Sequence, residues 1–342
     1  MGQLPEELIQ WICSMPKVEL HIHLEGATAP SVYWELANRN GVNLPATSLS
    51  EWEDFFSFRN FEHFINVYAT AVACLKSPSD YYFLTERFLA YQASQNVHWT
   101  EAFISLSLIP SMNPKEFIKA LQDGIADGFS KHGTRMTFIA DISRHQPDSQ
   151  RDVLNLTIEG YCKGVFSGLG LGGIEQGFTP DLFKGTFSLA KKAGLYTYAH
   201  AGETTGPETV RQTIDLLKVE RIGHGFRVLE DPFLTEELVQ LRIPFEVCPN
   251  SNYALGLIPI DKPHPIRKMV DLGLLCTINS DDPAMFSTSL NSEYLTLASQ
   301  GFTREEIWQL NLNGFHSAKI PNNIQNTLYK EFASFRNGNY PV

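Results

Sequence analysis

The chain has 342 residues, longer than an ordinary single domain but within the roughly 200 to 400 residues that one α/β barrel can hold. Hydrophobic residues make up 43% and aromatic residues 12%, enough apolar side chain for a large core, which excludes a disordered chain. The net charge of −11 is a poor match for a polyanion and argues against nucleic acid as a partner. Met1 to Pro16, with Glu6 and Glu7 and no cationic start before an apolar run, reads as a helix rather than a signal peptide. No stretch approaches the roughly 18 to 20 apolar residues that span a bilayer, so the expectation is a soluble cytoplasmic protein that does not act at a membrane.

Short apolar runs then alternate with helical patterns along most of the chain. The expected strands are Val18 to Leu24, Val97 to Ser105, Met136 to Ser143, Val165 to Gly173, Leu195 to His200, Arg221 to His224, Ile243 to Cys248 and Leu274 to Ser280. About eight such units suit a (β/α)8 TIM barrel, an α/β fold, with residues 1–342 forming one domain. Pro207 to Lys218 is an expected helix, with Pro207 in its first turn and an apolar stripe of Val210, Ile214, Leu216 and Leu217; similar segments follow Asp181 and Thr235. The interval from Gly26 to Gln95 is too long for one crossover helix and carries Trp52, Phe55, Phe56, Phe58, Phe61, Phe64 and Tyr68, so it reads as extra helices folded over the C-terminal mouth of the barrel. An open doubly wound sheet is disfavoured because the run Gly168, Gly170, Gly172, Gly173 lacks the dinucleotide-binding spacing.

His21 and His23 stand two apart on the first strand, so both imidazoles share one face, the interior of a barrel. Further polar residues stand at the ends of other expected strands: His200 with Glu203, His224, and Asp281 with Asp282. Each alone has an ordinary structural explanation; Asp281-Asp282-Pro283, for instance, reads equally well as a helix cap followed by Pro. Jointly they form a set of three His nitrogens and one carboxylate, His21, His23, His200 and Asp281, suited to one Zn²⁺. The five cysteines make no C-x-x-C pair, which excludes a thiolate zinc site and a disulfide framework.

The blocks Val18-Glu19-Leu20-His21-Ile22-His23-Leu24-Glu25-Gly26, Gly172-Gly173-Ile174-Glu175, His200-Ala201-Gly202-Glu203, Arg221-Ile222-Gly223-His224-Gly225, Glu246 to Asn252 and Asn279-Ser280-Asp281-Asp282-Pro283 resemble the adenosine deaminase family of metal-dependent purine aminohydrolases, in family order. The resemblance implies a barrel with one Zn²⁺ on His21, His23, His200 and Asp281. It implies that Glu203 donates a proton to N1 of the purine, that His224 orients and deprotonates the nucleophilic water, that Asp282 bonds N7 and that the Gly173 N–H contacts N3. Binuclear relatives of this barrel bridge two metals with a Lys on the fourth strand; Lys163 precedes that strand, which favours one metal. Other zinc deaminases use H-x-E and P-C-x-x-C motifs, and neither occurs in this sequence.

The expected substrate is a 6-aminopurine nucleoside, adenosine or 2′-deoxyadenosine. Glu25 stands where nucleoside-type members usually carry the Asp that approaches the ribose 5′-hydroxyl, and Glu there resembles the adenine deaminase branch. Cys248 to Asn252 followed by Tyr253 and Gly256 looks closer to the nucleoside type. His200 to Thr209 and Phe58 to Phe64 resemble bacterial members that act on aminodeoxyfutalosine, whose aromatic carboxylate Arg59 and neighbouring phenylalanines could receive. The non-enzyme alternative, a silent purine-binding module, is opposed by the presence of every expected ligand and both proton-transfer residues.

Overall fold

The structure, a computed structural model, describes residues 4–58, 61–109 and 112–339. Eight parallel strands follow one another around a barrel in sequence order: β1 Lys17–His23, β2 Val97–Ile104, β3 Arg135–Ser143, β4 Phe166–Gly172, β5 Tyr196–Ala201, β6 Arg221–His224, β7 Phe245–Val247 and β8 Cys276–Ile278. The parallel pairing of Ile22 with Asp281 closes the ring between β8 and β1. This is the expected (β/α)8 barrel, and each expected strand is found within two residues at either end.

The last two strands are shorter than their apolar runs. Pro244 has no N–H for the ladder before β7, and Cys248 already opens the helix Pro249–Ala254 after it. After β8, the side chain of Asn279 takes over from the main chain. Its Oδ1 accepts the N–H groups of Leu20 at 2.8 Å and His21 at 3.1 Å, and its Nδ2 donates to Thr277 Oγ1 at 3.0 Å. A buried amide thereby does the work of a strand carbonyl at the seam.

Before β1 lies α1, Glu6–Ser14, where a helix was expected. The interval after β1 folds into α2 Pro30–Asn40, α3 Leu49–Phe56, α4 Phe61–Val72 and α5 Pro78–Ser94. Pro30 fits the first turn of α2, and Ser48 caps α3 by accepting the N–H of Glu51. Of these helices, α4 covers the mouth, with Phe64, Ile65, Tyr68 and Ala69 turned to the central cavity. Arg59 lies outside the described residues. The helix at Pro207 runs to Gln212 and widens into one π-helical turn, Thr213–Leu217; Val210, Ile214 and Leu217 are buried, while Leu216 is partly exposed. Among the described residues no helix is long and apolar enough to cross a membrane.

Strand alternation sorts the chemistry. On β1, Val18, Leu20 and Ile22 join the apolar layer under the helices, whereas Lys17, Glu19, His21 and His23 occupy the alternate face. Within the barrel, Phe103, Ile139 and Tyr198 form a small separate apolar cluster beneath the histidines. Truncating Asn279 would leave the N–H groups of Leu20 and His21 buried and unpaired. Asn279→Ala is therefore expected to lower stability by about 2 to 5 kcal/mol, read from the urea midpoint; a change below about 0.5 kcal/mol would show that the seam does not depend on that amide.

Candidate active site

The expected site residues come from the C-terminal ends of different strands, where a barrel fold gathers its chemistry. His21 and His23 are on β1, His200 on β5 and His224 at the end of β6, while Asp281 and Asp282 follow β8. Two of them hold left-handed backbone conformations that side-chain-bearing residues rarely adopt, His224 with φ 59° and Asp281 with φ 65°. At Asp281 the conformation is fixed by pairing: its N–H donates to His21 O, and its carbonyl accepts the N–H of His23. Two glycines make room. A Cβ on Gly223 would lie 2.5 Å from His21 Cε1, and one on Gly26 would overlap the Asp282 carboxylate.

The four expected ligands converge. His23 Nε2 lies 3.3 Å from His200 Nε2 and 3.4 Å from Asp281 Oδ1, and His21 Nε2 lies 3.5 Å from the same oxygen. Bonds of about 2.0 to 2.2 Å in a tetrahedral zinc site would set neighbouring ligand atoms about 3.3 to 3.6 Å apart, which these three separations match. Among the described residues, the ligand atoms of His21, His200, His224 and Asp281 also lie within 4.8 Å of one another, as do those of His23, Asp281 and Asp282, so the cluster offers more donors than one ion needs. His21 Nε2 has no hydrogen-bond partner in the protein, and His200 has its Nδ1 turned away to Leu171 O at 3.1 Å. His224 borders this group, sharing a 4.8 Å cluster with His21, His200 and Asp281, and its Nε2 lies 3.9 Å from Asp281 Oδ2 and 3.7 Å from Glu203 Oε1.

Burial sets the protonation states. Burial alone would lower His21 and His23, but the carboxylates of Asp281 and Glu246 raise His21 to about 9, and those of Asp282 and Asp281 raise His23 to about 10. Asp281, although buried, is held well below the usual carboxylate range by the adjacent His21 and His23 rings. Burial pushes His200 down, with help from neighbouring imidazoles, and lowers His224 to about 4. It pushes Glu203 and Asp282 far up, each assisted by the charge of Asp281. Burial thus favours the neutral forms of Glu203, Asp282 and His224 around the Asp281 carboxylate.

Glu203, His224, Asp282 and Gly173 all line the central cavity, together with His23, His200 and Asp281. Glu25 does not. It is fully buried, with Oε1 accepting the N–H of Ser105 at 3.0 Å and Oε2 the hydroxyl of Tyr68 at 3.1 Å; those two residues face the cavity in its place.

Several supporting residues lie within the family-like sequence blocks, but their spacing does not reveal which side chain each one meets. Glu246 Oε2 accepts from His21 Nδ1 at 2.9 Å, and Arg221 bridges Glu246 to Glu101. Glu175 receives the backbone N–H groups of Gly202, Glu203, Thr204 and Thr205, holding the loop that carries Glu203. Ser251 donates to Asp281 Oδ2 at 2.6 Å. The one sequence clue is a charged residue at an inward strand position, as with Glu101, Arg221 and Glu246.

A closed barrel with a His and carboxylate centre at its C-terminal mouth defines a metal-dependent hydrolase. Residues 16–334 match the family described as adenosine deaminase, and the chain belongs to that family. It is 37% identical over 302 residues to an aminodeoxyfutalosine deaminase of Streptomyces avermitilis, covering 87% of this chain and 84% of that one. It is 34% identical over 335 residues to an adenine deaminase of Geotalea uraniireducens, covering 96% and 94%. A solved amidohydrolase from Burkholderia ambifaria with bound Zn superposes with a TM-score of 0.89 at 26% identity, over 98% of this chain and 96% of that one. The protein is a hydrolytic deaminase acting on a purine amidine C–N bond, with a small-molecule substrate.

Glu246 takes the Nδ1–H of His21 and leaves Nε2 as the nitrogen turned to the centre, where a bound metal would displace its proton. Glu246→Gln is expected to weaken zinc binding by about 10- to 100-fold in competition with a chelator, with the barrel intact by circular dichroism. Unchanged affinity would remove Glu246 from the account of the centre.

Proposed function

We propose that the chain catalyses zinc-dependent hydrolytic deamination of a 6-aminopurine nucleoside, adenosine or 2′-deoxyadenosine or a 5′-extended relative, giving the 6-oxopurine and ammonia. The observation that carries this reading is the meeting of the Glu203 and Asp282 carboxyl groups, the His224 imidazole and the donors His23, His200 and Asp281 on one cavity, with His21 buried directly behind them. The zinc ion, when bound, supplies hydroxide at neutral pH by lowering the pKa of water to about 7.

The protein groups do the rest. Glu203 gives its proton to purine N1, which makes C6 electrophilic. Asp282, kept protonated by burial beside Asp281, donates to N7, and the Gly173 N–H faces N3, so the ring is held edge-on in one orientation. His224 holds the attacking oxygen from the side of β6. Hydroxide oxygen adds to C6; the Glu203 carboxylate left after protonation of N1 takes the O–H proton of that oxygen and passes it to N6, the C6–N6 bond breaks, and ammonia leaves as C6 becomes the carbonyl carbon.

Support for a nucleoside comes from the outer part of the cavity, where the Tyr68 and Ser105 hydroxyls and the apolar Phe64, Ile65, Leu108, Leu255 and Phe286 extend the surface beyond what the base needs. The Phe58, Phe64 and Phe286 rings pack 5.3 to 5.6 Å apart at this end, a surface suited to an aromatic 5′ substituent like that implied by the Streptomyces relative. A second reading, adenine, is favoured by Glu25, whose carboxylate is sealed behind Tyr68 and Ser105 rather than offered to a sugar. Ammonia release from equimolar adenosine, adenine and a 5′-aryl adenosine, compared as kcat/KM, decides between them. Preference for either nucleoside is the expected result; preference for adenine would overturn the nucleoside reading.

The N1 role makes a further prediction. A proton donor works only while protonated, so kcat is expected to hold up to the raised pKa of Glu203 and to fall as the pH climbs through it. Glu203→Gln is expected to lower kcat by about 10²- to 10⁴-fold while zinc content stays at one per chain. Retained turnover in that variant would exclude the N1 role.

A further inference from the structure

His224 is connected to a set of buried groups whose hydrogen-bond polarity is decided away from the reacting centre. His264 is 1% exposed and precedes the helix Ile266–Asp271. Its Nδ1 accepts the backbone N–H of Ile266 at 3.1 Å. A backbone N–H can only donate, so the ring proton of His264 resides on Nε2. That nitrogen lies 3.0 Å from Oδ1 of Asn252, which is fully buried. The amide oxygen accepts there, and the NH2 group of Asn252 is turned to Nδ1 of His224, 3.4 Å away.

Exchanging the oxygen and nitrogen of Asn252 would set its NH2 against the N–H of His264, donor against donor in a site without solvent. The polarity therefore runs one way, from Ile266 through His264 and Asn252 to His224. His224 Nδ1 is left as an acceptor, and the proton of its ring belongs on Nε2. This is the nitrogen that faces Glu203 and Asp281 and has no partner in the protein.

We propose that Asn252 and His264 are positioning residues that hold His224 as the Nε2–H tautomer, so that it meets the reacting oxygen as a hydrogen-bond donor. Only the final clause rests on the deaminase reading; the tautomer follows from contacts outside the reaction. An N–H in this position orients the oxygen and stabilises negative charge building on it, but has no lone pair in the ring plane with which to take its proton. The resemblance to the family implies an acceptor at the same place, and the two roles differ in the location of one hydrogen.

The test is ring-nitrogen NMR on ¹⁵N-histidine-labelled, zinc-loaded protein, with the His224 signals assigned by their loss in His224→Asn. The wild type is expected to show His224 protonated at Nε2. Asn252→Asp keeps the shape but accepts on both sides, so it is expected to move the proton to Nδ1. With zinc content unchanged, that variant should lower kcat by about 10²-fold or more, as a wrongly held tautomer does in other histidine sites, and change KM far less. His264→Phe, which frees the amide, is expected to give a mixture of tautomers. A wild-type proton on Nδ1 overturns the proposal whether or not any variant folds, and wild-type kcat in a tautomer-switched Asn252→Asp overturns the donor role. The Nε2–H pattern in a protein that deaminates no 6-aminopurine would bear out the relay and overturn the function instead.

Discussion

Arg221 lies wholly buried inside the barrel, and the metal-binding face is built on how its charge is met. Its Nε donates to Glu246, one terminal nitrogen donates to Glu101 Oε2 at 2.7 Å and the other to Ser317 O at 3.1 Å, while the guanidinium lies 4.0 Å from the centre of the Tyr198 ring. Burial would lower this group, but Glu101, Tyr198 and Glu246 more than compensate and keep it charged. Glu246 in turn stays ionised against its own burial because of Arg221 and His21. An ion network of this kind is weak evidence for stability but strict about geometry, since losing one member leaves a buried charge unpaired. Its geometric product is the orientation of His21, whose Nδ1 is tied to Glu246 and whose Nε2 is thereby aimed at the centre.

The same division runs through the barrel. Side chains that face the surrounding helices are apolar, and those on the alternate positions of β1 are charged or imidazole-bearing, with Phe103, Ile139 and Tyr198 as an apolar cluster among the inner residues of other strands. Polar groups are tolerated there because nearly all find partners: Lys17 donates to backbone carbonyls of Met15 and Gln95, and Glu19 accepts from Ser280 and Gln92. Some exceptions, such as Thr100 Oγ1, Thr213 Oγ1 and Tyr294 OH, lie away from the site, and others lie at the mouth. His21 Nε2, His224 Nε2, Asp141 Oδ1 and Asp282 Oδ1 are buried without a protein partner, and all belong to the end where ligand and substrate would supply one. Left-handed backbone at His224 and Asp281 falls at the same end.

Much of this was legible in the sequence because it rests on local pattern. Two histidines two apart on a strand must share a face, and eight apolar runs separated by helical patterns leave few folds other than a barrel. His200, Glu203, His224, Asp281 and Asp282 were readable because each stands at or just after the end of a recognisable strand. What stayed hidden depends on pairing over long separations. Glu246 meets His21 across 225 residues and Arg221 meets Glu101 across 120, and nothing in either neighbourhood announces the partner. The polarity of Asn252 is fixed by His264, an ordinary loop histidine in sequence. Glu25 is the instructive case: its position suggested a contact with the sugar, whereas the fold brings Tyr68 from α4 across it and ties the Tyr68 hydroxyl to Glu25 and Ser105. The strand ends at β7 and β8 were overestimated because apolar character persists past the point where Pro244 and Asn279 end the main-chain ladder.

The account stands on one claim, that a single zinc ion on His21, His23, His200 and Asp281 makes the surrounding acids and imidazole into a 6-aminopurine deaminase. The most direct test is to strip the protein with a chelator and titrate zinc back while following bound metal and ammonia release together. Deamination should be lost on stripping and rise in proportion to bound zinc, reaching its limit at about one equivalent per chain. Full turnover by metal-free protein, or a rise that begins only with a second equivalent, would contradict the account at its centre.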